Sequence, residues 1–162
     1  MVEVLVAHLG LDRTTNSPVV ILREKDGDRV LPIFIGAPEA SAIAMELQGL
    51  KTSRPMTHDL LKQVLVGLGG ELSRVLITAL RDNTYFAELL IRRDGELFEI
   101  DARPSDCIAL ALRAHAPILC DDQLFQADGA GAAPPPDDTL GPEALRKYLE
   151  GLDPQDFGKF SI

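Results

Sequence analysis

Two short stretches of this 162-residue chain gather most of the side chains that chemistry would need. In Arg54-Pro55-Met56-Thr57-His58-Asp59 an imidazole stands beside a carboxylate at the start of a helical pattern. His58 there can act as a general base or a metal ligand. A capped helix with a half-exposed histidine in its first turn accounts for the same residues. The second stretch, Asp101-Ala102-Arg103-Pro104-Ser105-Asp106, concentrates two carboxylates, a guanidinium and a hydroxyl at a strand-to-helix junction. Asp101 and Asp106 can hold Mg²⁺ or Mn²⁺, and Arg103 can hold a phosphate. Equally, Ser105 and Asp106 can satisfy first-turn N–H groups while Arg103 pairs with Asp101. Glu39 and Glu46 share one edge of an earlier helix, where they can join a metal site or form a solvated edge. His8 and His115 fall in apolar patterns and read as core or interface residues. Cys107 has no base within sequence reach, so packing is its better account.

Several enzyme classes lack support. The chain has no HExxH, no GxSxG, no phosphate-binding glycine loop and no zinc-like Cys/His cluster, and nothing indicates an organic cofactor. A net charge of -9 disfavours general, tight binding to duplexes, which usually relies on a basic face. The basic doublets are Arg92-Arg93 and Arg146-Lys147; a local patch or a bound cation would have to hold phosphates. Cys107 and Cys120 form no CxxC pair and read as reduced, buried thiols of a reducing cytosol. No apolar run reaches about 18 residues, and the N-terminus lacks the basic region of a secretory signal. The expectation is a cytoplasmic protein without a membrane span.

The elements that must position these residues form an α+β pattern. Val2 to Leu11 reads as a first strand, Val19 to Leu22 as a second, and Val30 to Ile35 returns after the turn Lys25-Asp26-Gly27-Asp28. Pro32 places that third strand at an edge or a bulge. Pro38 opens a helix that stops at Gly49. Thr57 is the expected N-cap of a second helix, with Asp59 favouring its positive end. Leu72 to Leu80 and Tyr85 to Arg93 read as strands joined at Asp82-Asn83, and Leu97 to Ile100 pairs back across Asp94-Gly95. Pro104 opens a third helix that Pro117 terminates, and Ile118 to Cys120 is a short last strand. On the third helix Ile108, Ala111, Leu112 and His115 are expected to face inward, with Asp106 and Arg113 on the opposite stripe. Residues 1–126 would form the domain, 127–140 a flexible Gly/Ala/Pro linker, and 141–162 a helical tail.

A hairpin followed by an alanine-rich helix occurs twice in this reading, packed on a mixed sheet. Asp26-Gly27, Ala37-Pro38 and Ile43-Ala44 mark the first unit; Asp94-Gly95, Ala102-Arg103-Pro104 and Ile108-Ala109 mark the second. The Pro-to-Ile spacing differs by one residue, so internal duplication and chance recurrence both remain open. Corresponding helix starts would present Glu39 and Ser105-Asp106 beside exposed N–H groups that attract anions.

Taken in order, Leu31-Pro32-Ile33-Phe34-Ile35-Gly36 with Glu39-Ala40, Arg54 to Leu60, Thr84-Tyr85-Phe86-Ala87, Asp101 to Ala111 and Leu149 to Phe157 resemble the bifunctional nuclease family. The helix start Arg103-Pro104-Ser105-Asp106 is the most specific part; after that Asp the family commonly has Ala where this chain has Cys107. The resemblance covers nearly the whole chain. It implies a mixed α/β fold, a homo-oligomer with a dimer favoured, and cleavage of RNA and DNA, with single strands the expected substrate. The resemblance itself delivers no catalytic set; for a phosphodiester-cleaving enzyme the residues singled out above take the roles, with His58, Arg103 and Asp106 catalytic, His58 managing protons and Arg103 stabilising phosphate charge. Arg54 and Ser105 contact substrate, and Glu39, Asp101 and Asp106 ligate a divalent cation. The rival expectations are a non-enzymatic regulatory or scaffolding domain and a small-anion binding module. Whether Glu39, His58, Asp101 and Asp106 share one cleft separates them.

Overall fold

The computed structural model describes residues 1–12 and 14–126, so the linker and helical tail expected over 127–162 lie outside the described residues. Among the described residues seven strands and three helices follow in order: β1 (Val2–Leu11), β2 (Pro18–Glu24), β3 (Val30–Phe34), α1 (Ala37–Leu47), α2 (Thr57–Gly67), β4 (Glu71–Arg81), β5 (Thr84–Arg93), β6 (Glu96–Ala102), α3 (Pro104–Ala114) and β7 (Ile118–Cys120), followed by a 3-10 turn (Asp122–Phe125). The expected α+β class, with a hairpin-helix unit in each half, is what the chain adopts.

All strands join one sheet in the order β3-β2-β1-β7-β4-β5-β6. Each half is an antiparallel meander, and β7 stitches the two together, antiparallel to β1 and parallel to β4. The short run Ile118-Leu119-Cys120 can take the centre of the sheet because Ile118 and Cys120 are apolar and fully desolvated there. β3 lies at one edge, which is where Pro32 can sit without breaking a ladder on both sides. β6 forms the other edge, closed against β5 by the tight turn Asp94-Gly95, both residues at positive φ.

The helices lie over the sheet with α3 at the centre. Its Cys107, Ile108, Ala109, Leu110 and Ala111 are all buried, against Val75, Ile77 and Ala87 of the sheet and Ile43 and Ala44 of α1. The small side chains allow that close approach.

Three expectations about these helices need correction. Met56, and not Thr57, is the N-cap of α2; Asp59 at N3 accepts the Met56 N–H at 3.0 Å. His115 does not face inward. It is the left-handed C-cap of α3 (φ 54) and is exposed, because the helix must end before Pro117 and this conformation lets Ala116 N–H reach the Ala111 carbonyl. Arg113 does not lie on an outer stripe: its side chain is 6% exposed. Because α3 has the sheet beneath it and α1 and α2 beside it, a face opposite Ile108 is covered too.

Candidate active site

Asp106 stands in the first turn of α3, and its carboxylate is the centre of a cluster drawn from three helices. Arg103, the N-cap residue of α3, donates Nε to Asp106 Oδ2 at 2.7 Å and Nη2 to Oδ1 at 3.1 Å. From the first turn of α2, His58 Nε2 approaches Asp106 Oδ1 at 3.0 Å. From the first turn of α1, Glu39 Oε1 lies 2.8 Å from Arg103 Nη1. The alternative pairing of Arg103 with Asp101 is not adopted, and no side chain caps the N-terminus of α3.

Local chemistry explains why the sequence builds this junction. Pro104 at the first helical position costs no hydrogen bond, and fixes the turn in which Asp106 follows Arg103 by three residues. A forked guanidinium fits a carboxylate with two parallel bonds, and Arg103 uses that geometry on Asp106. Burial works against ionisation of Asp106, but the hydrogen bonds from Arg103 and His58 outweigh it and hold the carboxyl below its ordinary value. Hydrogen bonding to Asp106 raises Arg103 in turn. An ionised carboxylate only accepts, so His58 Nε2 must carry the proton toward Asp106, leaving Nδ1 as the basic nitrogen.

These groups open into a cavity of about 610 Å³ between α2, the β4–β5 turn and the β6–α3 junction. His58, Asp101, Arg103 and Asp106 all line it. The His58 side chain is only 12% exposed, whereas that of Arg103 is 64% exposed at the mouth. Glu39 is tied to the cluster through Arg103 but is not in the lining. Two expected substrate contacts are not brought in: Arg54 is exposed on the connector before α2, and Ser105 is buried in α3.

The carboxylates expected to hold a cation are placed differently from a ligand shell. Asp106 gives both oxygens to Arg103 and one also to His58, and Glu39 faces Arg103. Among the described residues no three His, Cys, Asp or Glu groups are spaced to share an ion. The donor set in this arrangement does not fit a resident metal.

No site role was expected of the apolar and hydroxyl walls: Thr57, expected only as a helix cap, and Leu61 from α2, and Thr84, Tyr85, Phe86 and Leu89 from β5. Tyr85 is half-buried, which pushes its phenol up, and its hydroxyl points toward the Pro32 carbonyl at 3.5 Å. Phe86 is partly exposed with the Arg81 guanidinium 5.4 Å from its ring centre. The signal in the sequence for Thr84, Tyr85 and Phe86 was their place in the stretch Thr84-Tyr85-Phe86-Ala87, and for Thr57 its place in Arg54 to Leu60.

Comparison with known proteins converges on one family. Residues 20–132 match the model of the bifunctional nuclease domain. An uncharacterized protein of Mycobacterium tuberculosis is 38% identical over 165 residues, which takes in 97% of this chain and 98% of that protein. Bifunctional nuclease 2 of Oryza sativa subsp. japonica is 29% identical over 122 residues, 73% of this chain but 38% of its own length. Bifunctional nuclease 1 of Arabidopsis thaliana is 28% identical over 116 residues, 69% of this chain and 36% of its own.

Proposed function

This chain belongs to the bifunctional nuclease domain family, and from that premise we propose that it hydrolyses phosphodiester bonds of RNA and DNA in the cavity beside α2. The observation that supports this reading most directly is the convergence of His58 and Arg103 on one carboxylate, Asp106, at the wall of that cavity. Asp106 orients the imidazole and stabilises the charge it gains on protonation. His58 Nδ1 takes the proton of the attacking water or hydroxyl as the oxygen–phosphorus bond forms, and solvent protonates the departing oxygen. Arg103 engages carboxylates through Nε, Nη1 and Nη2 once each, which leaves N–H groups at the exposed mouth for the phosphoryl oxygens.

The cavity favours single strands. A net charge of -9 works against the phosphate contacts that hold duplexes, while Phe86 and Tyr85 offer surfaces on which an unstacked base can lie. A divalent cation at Asp101, Asp106 or Glu39 would require Arg103 to release the carboxylates it now holds. The cation therefore enters as a variable of the test and not as a step.

One observation favours the competing reading of a non-enzymatic scaffold: Arg103 bridges Glu39 and Asp106, so the cluster also latches α1 to α3. Incubation of highly purified protein with labelled single-stranded RNA and DNA decides between them, with Mg²⁺, with Mn²⁺ and after chelation. Cleavage that disappears in His58→Ala, with the fold retained, is the expected result. No cleavage under any of these conditions would end the nuclease reading for this chain.

A further inference from the structure

Of the charged groups on the cavity wall, Asp101 alone has no part in the proposed cleavage. It lies near the end of β6 and is exposed. Among the described residues no cation and no hydrogen-bond donor engages its carboxylate; Arg103, two residues on, gives its N–H groups to Asp106 and Glu39 instead. Its direct cross-strand neighbour on β5 is Glu88, a second carboxylate, and like charges set opposite each other on a sheet are destabilising. A resident cation does not relieve the pair, since no three such groups among the described residues are spaced to share one. A free carboxylate on the wall of a cavity for nucleic acid therefore calls for a donor in the substrate itself. Phosphate oxygens only accept, so among the parts common to RNA and DNA that donor comes from a base.

We infer that Asp101 reads the Watson–Crick edge of a guanine stacked on Phe86, which makes the cavity selective for that base. The inference rests on the reading that nucleic acid enters the cavity. Strand register puts the two residues together. Glu88 and Asp101 are directly opposite, and Phe86 precedes Glu88 by two residues, so Phe86 and Asp101 share one face of the sheet as diagonal neighbours. Such neighbours stand ~7–8 Å apart, which brings the rim of a base lying on the ring up to the carboxylate. Both residues line the cavity. The Arg81 guanidinium lies over the same ring, 5.4 Å from its centre, and steadies it while the ring still lines the cavity. At about 610 Å³ the cavity has the size of pockets that bury a ligand as large as a nucleotide.

The choice of base follows from the pattern of donors. An ionised carboxylate offers two acceptors side by side and no donor. Guanine alone presents two neighbouring donors, N1–H and the N2 amino group, and so takes a carboxylate in two parallel bonds. Adenine and cytosine each set an amino group beside a bare ring nitrogen, whose lone pair a carboxylate repels. Uracil and thymine offer a single N3–H between two carbonyls. The hydroxyls of Thr57 and Thr84, also on the wall, both donate and accept, so they suit any base and leave the choice to Asp101. A site with an obligate acceptor rejects a base that leaves it unmatched, and a good bidentate pair discriminates by ~10-fold or more.

Calorimetric titration of the full chain with the four ribonucleoside 5′-monophosphates, in the presence of a chelator, tests this directly. All four carry the same phosphate and ribose, so differences between them belong to the base. Guanosine monophosphate should bind at least ~10-fold tighter than the adenosine, cytidine or uridine nucleotide. Inosine monophosphate, which lacks the N2 amino group, should fall between. The 7-deaza guanosine nucleotide should match guanosine monophosphate, because the opposite edge of the base is not read. Asp101→Asn sets a donor beside an acceptor, so the ratio of guanosine to adenosine nucleotide affinity should drop by ~10-fold or more without a lower melting temperature. A merely structural Asp101 would not move that ratio. Equal binding of the four nucleotides overturns the proposal, as does no binding of any. A guanine preference untouched by Asp101→Asn, or lost with the 7-deaza base, overturns it too. The nuclease reading is decided separately: cleavage without base preference sinks the guanine site alone, whereas guanine-selective binding without cleavage keeps the site and sinks the nuclease.

Discussion

His58 Nε2 and Asp106 Oδ1 meet at 3.0 Å although 48 residues separate them in the chain. The contact joins the first turns of α2 and α3, and it turns two unremarkable helix starts into an oriented imidazole. On the proposed mechanism that orientation matters more than the charge of Asp106 alone. Asp106→Asn keeps the size of the side chain but replaces an obligate acceptor with an amide, so His58 loses the partner that fixes its tautomer. The expected result is a fall in phosphodiester cleavage of ~100-fold or more. Urea unfolding should shift by less than about 2 kcal/mol, since only charge-assisted surface bonds are lost. A cleavage rate unchanged in Asp106→Asn would show that the dyad is a latch only.

Acid should loosen the seam between α2 and α3 before it touches the sheet. Asp59 and Asp106 both sit on that seam, and both have carboxyls below their ordinary 3.8. In each case burial opposes ionisation and is outweighed, by Arg113 and the Met56 N–H at Asp59 and by Arg103 and His58 at Asp106. A depressed folded-state value means that the unfolded chain binds the proton more readily. The stabilisation is therefore complete above about pH 3.8 and is lost as pH falls through the lower folded-state values. Exchange of α2 amides, followed from pH 6 to pH 2, should accelerate in that lower window ahead of exchange from β4 and β7. Simultaneous loss of all three would show that α2 is not held by these carboxylates.

Much of this architecture was legible because it is local. Alternating apolar residues, the Asp94-Gly95 turn and the prolines at 38 and 104 each act within a few residues, and the strands and helices formed where those signals placed them. Pro32 correctly marked an edge. The site was half legible for the same reason: Arg103 and Asp106 are one helical turn apart, whereas the approach of His58 and Glu39 depends on how three helices pack. Arg113 was misread because a helical wheel assumes one buried face, and α3 is covered on more than one. His115 was misread because its periodic place is inside, but the chain leaves the helix there ahead of Pro117.

The two thiols should be inert in the native protein. Burial pushes both Cys107 and Cys120 up to about 12, and at Cys107 the carboxylates of Asp106, Asp101 and Glu88 add to the effect. At pH 8 an aromatic disulfide reagent should label neither residue in the folded chain, and both should react at once in denaturant. Labelling of Cys107 alone, faster than global unfolding, would mean that α3 opens locally at its N-terminal turn and would contradict the tight packing of Asp106 beside it.

Arg113 is the side chain on which the placement of α2 most depends. It is buried, donates Nε to Asp59 at 2.6 Å, Nη1 to the Ala109 carbonyl at 2.9 Å and Nη2 to the Ala42 carbonyl at 3.1 Å, and so touches all three helices. Lys62 of α2 adds a hydrogen bond to the Arg113 carbonyl. Since α2 has no fully buried residue and packs on the core chiefly through the partly buried Leu65, these polar ties, together with His58–Asp106, add much of what seats it. Removing one partner of a buried pair leaves the others desolvated and unmatched, so Arg113→Ala should cost about 3 kcal/mol in urea unfolding. Arg113→Lys should recover only part of that, because one ammonium cannot reach Asp59 and two carbonyls on different helices in the fixed geometry of a fork. Cleavage should fall in both variants through displacement of His58, with the loss larger for Arg113→Ala. Equal stability of Arg113→Ala and wild type would show that α2 is seated by contacts other than these.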